Sequence, residues 1–285
     1  MEIKKVVVVG GGTMGAGIAQ LFAQKGFAVT ICDISQDLAD ASRARIEKGL
    51  ARRVQKGKMT VEEQDTILNR VAAAGNLESA AQADFVVESV VENLEIKQQV
   101  FRELDRLTRP EVLLVTNTTS LSISEIAGVT KRPEKICQMH FFNPPVIMKL
   151  VEIMPGQKTA PETLRAVADL AHHLGKDPVV CKQEAPAGIV SRTLGQLLNE
   201  ATWLVEAGVA EPADIDKAMK LGANHPMGPL ELIDLIGLDV HRAKMQTLRR
   251  VLDDPRYQHP PIVDRMIDEG RLGKKSGRGF YEYGK

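Results

Sequence analysis

Of the six histidines in the chain, His140 has the setting that acid–base chemistry asks for. It ends the strand-like run "KICQM" and leads into "FFNPP", where a turn opens. Ligand sites in open parallel sheets lie outside the carboxyl ends of strands. An imidazole, with an ordinary pKa of about 6.5, can take a hydroxyl proton near neutral pH while hydride leaves the same carbon. Glu152 follows within the apolar "KLVEIM". A carboxylate there is costly to bury unless paired, and a histidine across a site would pair with it. The glutamate would then hold the imidazole and stabilise its protonated form. The plainer alternatives are a structural histidine and an exposed glutamate on an edge strand. A further set of candidates is "TNTTSLSISE", residues 116–125, where threonines and serines follow the apolar "VLLV". At the end of another strand these hydroxyls can face the same crevice, and residue type alone leaves open which of them works.

The remaining histidines have weaker settings. His172 and His173 lie in a helix-like run without an obvious partner, and His225 precedes "PMGP", where packing or capping suits it. His241 and His259 fall in polar stretches expected to be exposed.

Gly10, Gly12 and Gly15 form a G-x-G-x-x-G between "VVVV" and a helix-like run. The first glycine allows a tight turn, the second lets backbone amides approach a pyrophosphate, and the third lets helix pack on strand. The helix N-terminus then faces the phosphates. Thr13 and Met14 lie inside this turn and join the same cofactor-binding set. Asp33 stands directly after the next strand-like run, where an acid accepts hydrogen bonds from the adenosine ribose. It would also repel a 2′-phosphate, and the following "ISQD" brings no arginine to neutralise it. The expected cofactor is therefore NAD rather than NADP; capping the next helix is the plainer role for Asp33.

The elements that must position these groups alternate. Short β-branched runs and helical stretches follow one another from residue 3 to about residue 182, which predicts a mostly parallel, doubly wound sheet of the dinucleotide-binding (Rossmann) type. Beyond Pro186 the strands disappear and helix-like runs take over, with Gly208, Gly222 and Gly270 as stops and Pro212 and Pro229 as starts. The expected domains are 1–184 and an all-helical 185–285. Residues 38–72 read as a pair of helices inserted after the second strand, up to and including "VAAAG". Between residues 43 and 58 this pair carries Arg43, Arg45, Lys48, Arg52, Arg53, Lys56 and Lys58 against the single acid Glu47. Such a run is a solvated face or a surface for a phosphorylated ligand.

Bulk composition narrows the function classes. The chain has 285 residues, 44% hydrophobic and 26% charged, and its 37 basic side chains balance 37 acidic ones. That balance argues against nucleic-acid binding through overall charge. Three cysteines are too few for a disulfide framework and fit a reducing compartment. The apolar start runs straight into glycines instead of a cleavage site, and no apolar run reaches the roughly 18 residues of a membrane span. The expectation is a cytoplasmic protein without a membrane partner and without a metal site.

The chain resembles the L-3-hydroxyacyl-CoA dehydrogenase family over essentially its whole length, especially the short bacterial 3-hydroxybutyryl-CoA dehydrogenases. The resemblance rests on "VVGGGTMGAGIAQ", "VVESVVENLEIK", "TNTTSLSISEIA", "MHFFNPPVIMKLVEI", "AMKLGANHPMGPLELIDLIGLD" and "GKKSGRGFYEY". It implies oxidation of a (3S)-3-hydroxyacyl-CoA to the 3-ketoacyl-CoA with NAD, or the reverse. His140 would be the general base and Glu152 its partner. Asp33 would hold the ribose, with Glu92, Lys97, Asn117, Asn143 and Lys275 around the cofactor. Lys56 matches a CoA-contacting lysine, and the helical domain would form a homodimer.

Two departures from the family pattern bear on chemistry. The family's catalytic serine falls at Thr119, whose hydroxyl can make the same hydrogen bond to substrate although its methyl stiffens χ1. The family's P-G-F-x-x-N-R reads "PAGIVSR" here, so an active-site asparagine becomes Ser191 and a Gly-Phe pair becomes Ala187-Gly188. Serine is too short to span the same distance without a bridging water. The preceding "CKQEAP" is one residue longer than usual. Smaller side chains at 188 and 191 make room for a branched, cyclic or aromatic acyl group. Two competing readings are a low-turnover NAD- or CoA-binding protein and a hydroxy-acid dehydrogenase acting without CoA.

Overall fold

The computed structural model describes residues 3–284. The chain divides into two compact units, Met1–Ala185 and Pro186–Lys285; the terminal residues 1, 2 and 285 of the expected domains lie outside the described residues.

In the first unit the order is β1 (Lys5–Val9), α1 (Thr13–Gln24), β2 (Ala28–Cys32), α2 (Gln36–Gln55), α3 (Val61–Leu68) and β3 (Val71–Ala74). Then come β4 (Phe85–Glu88), α4 (Leu94–Leu107), β5 (Leu113–Thr116), α5 (Ile123–Ala127), β6 (Ile136–Phe141), β7 (Leu150–Pro155), α6 (Pro161–His173) and β8 (Asp177–Val180). The sheet order is β3-β2-β1-β4-β5-β6-β7-β8. Every pairing is parallel except β6 with β7. Helices cover both faces, so Val6 to Val9 are all buried, as a continuous β-branched run in a parallel strand requires. The chain leaves β1 toward β2 on one side and returns to β4 on the other. This reversal opens a crevice at the carboxyl ends of β1 and β4.

One expectation fails within the inserted helical pair. Residues 71–74, taken as helix, form β3 and pair in register with Val29 to Cys32 of β2. Alanine favours helix, but the ladder offered by β2 and the burial of Val71 outweigh that local preference. The pair is thus α2 and α3. Ser35 caps α2, Thr60 and Glu63 make a capping box on α3, and Gly57 turns between them at φ +64°.

The second unit holds α7 (Gly188–Glu206), α8 (Pro212–Gly222), α9 (Pro229–Ile236), α10 (Leu238–Leu252) and α11 (Pro261–Asp268). Prolines open α8, α9 and α11, where a missing N–H costs nothing. Leu198, Leu230, Ile233 and Leu238 centre its core. His241 and His259, expected to be exposed, are buried. His241 shares the inward face of α10 with Met245 and Leu248, and burial, with Lys244 and His259 nearby, pushes its pKa down to about 4. His259 lies 3.0 Å from Asp264. Among the described residues no helix is long and apolar enough to cross a membrane, and no cluster of His, Cys, Asp and Glu could hold a metal ion.

Candidate active site

A cavity of about 850 Å3 opens at the crevice between β1 and β4. Its floor is the glycine turn from β1 into α1. Gly10 has φ +95°, and a Cβ there would stand 2.6 Å from the Ser89 carbonyl oxygen. A Cβ on Gly15 would lie 1.8 Å from the Gly10 carbonyl oxygen, so helix and turn touch backbone to backbone. Gly12 is different, because nothing in the protein lies within 4 Å of its Cβ position. It stands at the N-terminus of α1, where no side chain caps the amides and no acid occupies the first turn. Thr13 and Met14 continue this wall. Free amides, the helix dipole and open space beside Gly12 fit a pyrophosphate.

Asp33, at the end of β2, lines the same cavity. Its Oδ2 accepts from the Gly11 amide and its Oδ1 from the Ile34 amide, each at 2.8 Å. The carboxylate is thereby aimed while lone pairs remain for a ribose. Ile34, Leu38, Val91 and Ile96 also line the cavity and are exposed to solvent, Ile34 to 89%. Apolar side chains left bare around a polar turn suit a flat heteroaromatic ring. The residues present fit NAD.

His140 and Glu152 face each other because β6 and β7 run antiparallel in that register; directly opposed residues project to the same side of a sheet. His140 Nδ1 lies 3.5 Å from Glu152 Oε2, and His140 Nε2 lies 3.4 Å from Thr119 Oγ1. Glu152 is 1% exposed and His140 7%, so Glu152 is no exposed edge residue: β8 covers β7 on its other side. Both separations are at the long end of hydrogen bonding, as is common before substrate tightens a site. A proton on Nδ1, shared with the Glu152 carboxylate, would leave the Nε2 lone pair facing Thr119.

Thr119 is half-buried and, like Asn117, lines the cavity. Glu92 holds its backbone: Oε1 accepts from the Thr119 and Ser120 amides at 2.9 and 2.8 Å, and from the Thr118 hydroxyl at 2.7 Å. Burial pushes the Glu92 carboxyl up, but these hydrogen bonds and the charge of Lys97 together hold it below its ordinary value. Asn117 ties three strand ends, donating to the Ser89 hydroxyl at 3.3 Å and accepting from the Phe141 amide at 2.9 Å.

Lys97, expected around the cofactor, is absent from the cavity wall. Its ammonium is buried 2.6 Å from Glu88 Oε1 and 3.6 Å from Glu92 Oε2, so it reaches the site through Glu92. The requirement for a counter-ion draws it inward: Glu88 is fully buried at the end of β4 and accepts otherwise from Thr116 and Val90. Glu88 went unnoticed in the sequence, although a glutamate inside "DFVVESV" was the available signal.

Asn143 is exposed just beyond β6 and does not line the cavity. Lys56 is exposed at the C-terminal end of α2. Two expected residues belong to the second unit. Ser191 is half-buried in the first turns of α7, and Lys275 pairs with Asp239 at 2.5 Å. Ahead of Ser191, Ala187 and Gly188 are both left-handed, at φ +67° and +61°.

Comparison with known proteins identifies the family. Residues 5–185 match the family model "3-hydroxyacyl-CoA dehydrogenase, NAD binding domain", and residues 189–283 match "3-hydroxyacyl-CoA dehydrogenase, C-terminal domain". A probable 3-hydroxybutyryl-CoA dehydrogenase of Bacillus subtilis is 45% identical over 283 residues, covering 99% of this chain and 98% of its own. The 3-hydroxybutyryl-CoA dehydrogenase of Clostridioides difficile is 44% identical over 281 residues, covering 99% and 100%. Among solved structures, the (S)-3-hydroxybutyryl-CoA dehydrogenase of Ralstonia eutropha superposes with a TM-score of 0.93 at 38% identity over the full length of both chains. The chain belongs to the 3-hydroxyacyl-CoA dehydrogenase family and is an NAD-dependent enzyme of that family.

Proposed function

We propose that the chain interconverts a (3S)-3-hydroxyacyl-CoA and the 3-ketoacyl-CoA, with His140 as general base. The observation that carries this is the row Thr119–His140–Glu152, in which Nε2 faces a hydroxyl and Nδ1 a buried carboxylate. When bound, NAD supplies the acceptor for the hydrogen that leaves C3 with its electron pair. His140 Nε2 takes the proton of the 3-hydroxyl, and Glu152 stabilises the imidazolium that results. The Thr119 hydroxyl donates to the substrate oxygen, as the family's serine would. In reduction His140 returns the proton. Asp33, Gly12, Thr13 and Met14 bind the adenosine and pyrophosphate halves, while Glu92, Asn117 and, through Glu92, Lys97 hold the wall beside the reacting end. Asn143 and Lys275 complete the cofactor-binding set by resemblance to the family.

The acyl specificity is proposed to differ from that of a strictly four-carbon enzyme. Support comes from Ser191 and Gly188 in place of larger residues and from the left-handed pair Ala187-Gly188. Ser191 would reach the substrate through a water.

The test follows NADH consumption with acetoacetyl-CoA, a bulkier 3-ketoacyl-CoA and free acetoacetate. Turnover of the thioesters supports the assignment, and preference for the bulkier one supports the altered specificity; strict preference for acetoacetyl-CoA refutes that second part. The variant Lys56→Glu should raise KM for the thioester and leave free acetoacetate unchanged. Silence with every thioester despite NADH binding would overturn the reading.

A further inference from the structure

The segment carrying Thr119 is held between two carboxylates, one of them Glu92. From the end of β5 at Thr116 to the start of α5 at Ile123 the chain has no regular structure. No helix or strand ladder therefore fixes the Thr119 hydroxyl. Glu92 takes the first half of this segment, through Thr118, Thr119 and Ser120. Glu184 takes its end, at Ser122, together with Ser124 in the first turn of α5. Its Oε1 accepts from the Ser122 hydroxyl at 2.8 Å and the Ser124 amide at 3.1 Å, and its Oε2 accepts from the Ser124 hydroxyl.

Both serine hydroxyls are used twice. Ser122 Oγ also accepts from the Glu125 amide at 3.2 Å, and Ser124 Oγ from the Gln157 amide at 2.8 Å. The clamp therefore joins the Thr119 segment, the start of α5 and the turn after β7 to a residue 60 positions further along the chain. Glu184 lies between the end of β8 and Pro186, where the second unit begins. Thr119, 3.4 Å from His140, has little freedom while both ends of its segment are fixed.

We propose that Glu184 is a positioning residue for the reaction: it holds the Thr119 segment so that the threonine hydroxyl stays within reach of His140 and the substrate oxygen. This inference rests on the role proposed for Thr119. Hydrogen bonds to a carboxylate acceptor are about twice as strong as neutral ones, and Glu184 collects three, one from Ser122 at the end of this segment and two from Ser124 in the first turn of α5. Replacing it by alanine leaves two hydroxyls and one amide to find other partners, and the reacting hydroxyl drifts. A misplacement of about 1 Å costs on the order of a hundredfold in rate.

The experiment is a double-mutant cycle on the full chain, with Glu184→Ala, Thr119→Val and the pair, assayed by NADH consumption with acetoacetyl-CoA. Glu184→Ala should lower kcat by about ten- to a hundredfold with the affinity for NADH, read by fluorescence titration, unchanged. Once Thr119→Val has removed the hydroxyl, adding Glu184→Ala should lower kcat no further, because the clamp acts through that hydroxyl. Thr119→Val impaired with Glu184→Ala unimpaired, or an equal loss in both backgrounds, overturns this inference alone. Wild-type rates in Thr119→Val overturn the role of Thr119 and the inference with it. Should Glu184→Ala fail to fold, Ser124→Ala removes one hydroxyl of the clamp and must show a smaller loss with the same non-additivity; wild-type kcat there overturns the proposal.

Discussion

Replacing Lys97 by methionine keeps the reach of the side chain and removes its charge, which leaves the Glu88 carboxylate without its cation. The two side chains are 1% and 0% exposed and their charged atoms 2.6 Å apart, so water cannot take the place of the ammonium. Glu88 would keep the Val90 amide at 2.7 Å and the Thr116 hydroxyl at 2.6 Å. Breaking a buried pair from one side costs about 3–5 kcal/mol, and two surviving donors put the expectation at the lower end, about 3 kcal/mol. Glu92 adds little, since its side chain is 39% exposed and 3.6 Å away. At about 2–4 °C per kcal/mol for a unit of this size, the melting midpoint should fall by about 6–12 °C. Calorimetry and urea unfolding of the wild-type chain and Lys97→Met measure this directly. The pair Lys97→Met with Glu88→Gln removes both charges and should recover most of the loss. A single variant within about 1 kcal/mol of wild type, or a double variant no better than the single, would refute the reasoning that the cost is an unpaired buried charge.

Three further outcomes are expected. His140→Gln should lower kcat by about a hundred- to ten-thousandfold and leave NADH binding intact, and a loss confined to KM would remove His140 from the chemistry. Asp33→Ala should narrow the preference for NADH over NADPH and, by freeing the buried Gly11 amide, destabilise the chain by about 1 kcal/mol; an unchanged cofactor ratio would contradict the ribose assignment. The third concerns acid. The Glu92 carboxyl lies below its ordinary value in the folded chain, against the upward push of burial. Its stabilisation is therefore complete above the unfolded pKa of about 4.3 and is lost as pH falls through the depressed folded value. The stability gap between wild type and Glu92→Gln should shrink in acid, and a gap constant from pH 7 to about pH 3 would refute this sign.

Much of the cofactor side of this enzyme could be read along the chain. The glycine spacing, Asp33 after the second strand and the alternation of strands with helices are local features, each set by backbone geometry within a few residues. His140 and Glu152 were recognisable one at a time, from a histidine at a strand end and a carboxylate among apolar neighbours. That they meet follows only from the antiparallel register of β6 on β7, in a sheet otherwise parallel. The same holds for the hydroxyls of residues 116–125. Their number is visible in the sequence, but which one faces His140 and which ones bind Glu92 or Glu184 depends on side chains brought from 21 to 62 positions away. Lys97 turned inward because Glu88 needed a counter-ion, and Val71 to Ala74 became a strand because β2 offered an open edge. Propensity and periodicity act between neighbours in the chain; pairing of charges, register and burial act between neighbours in space, and those decided where the reacting groups stand.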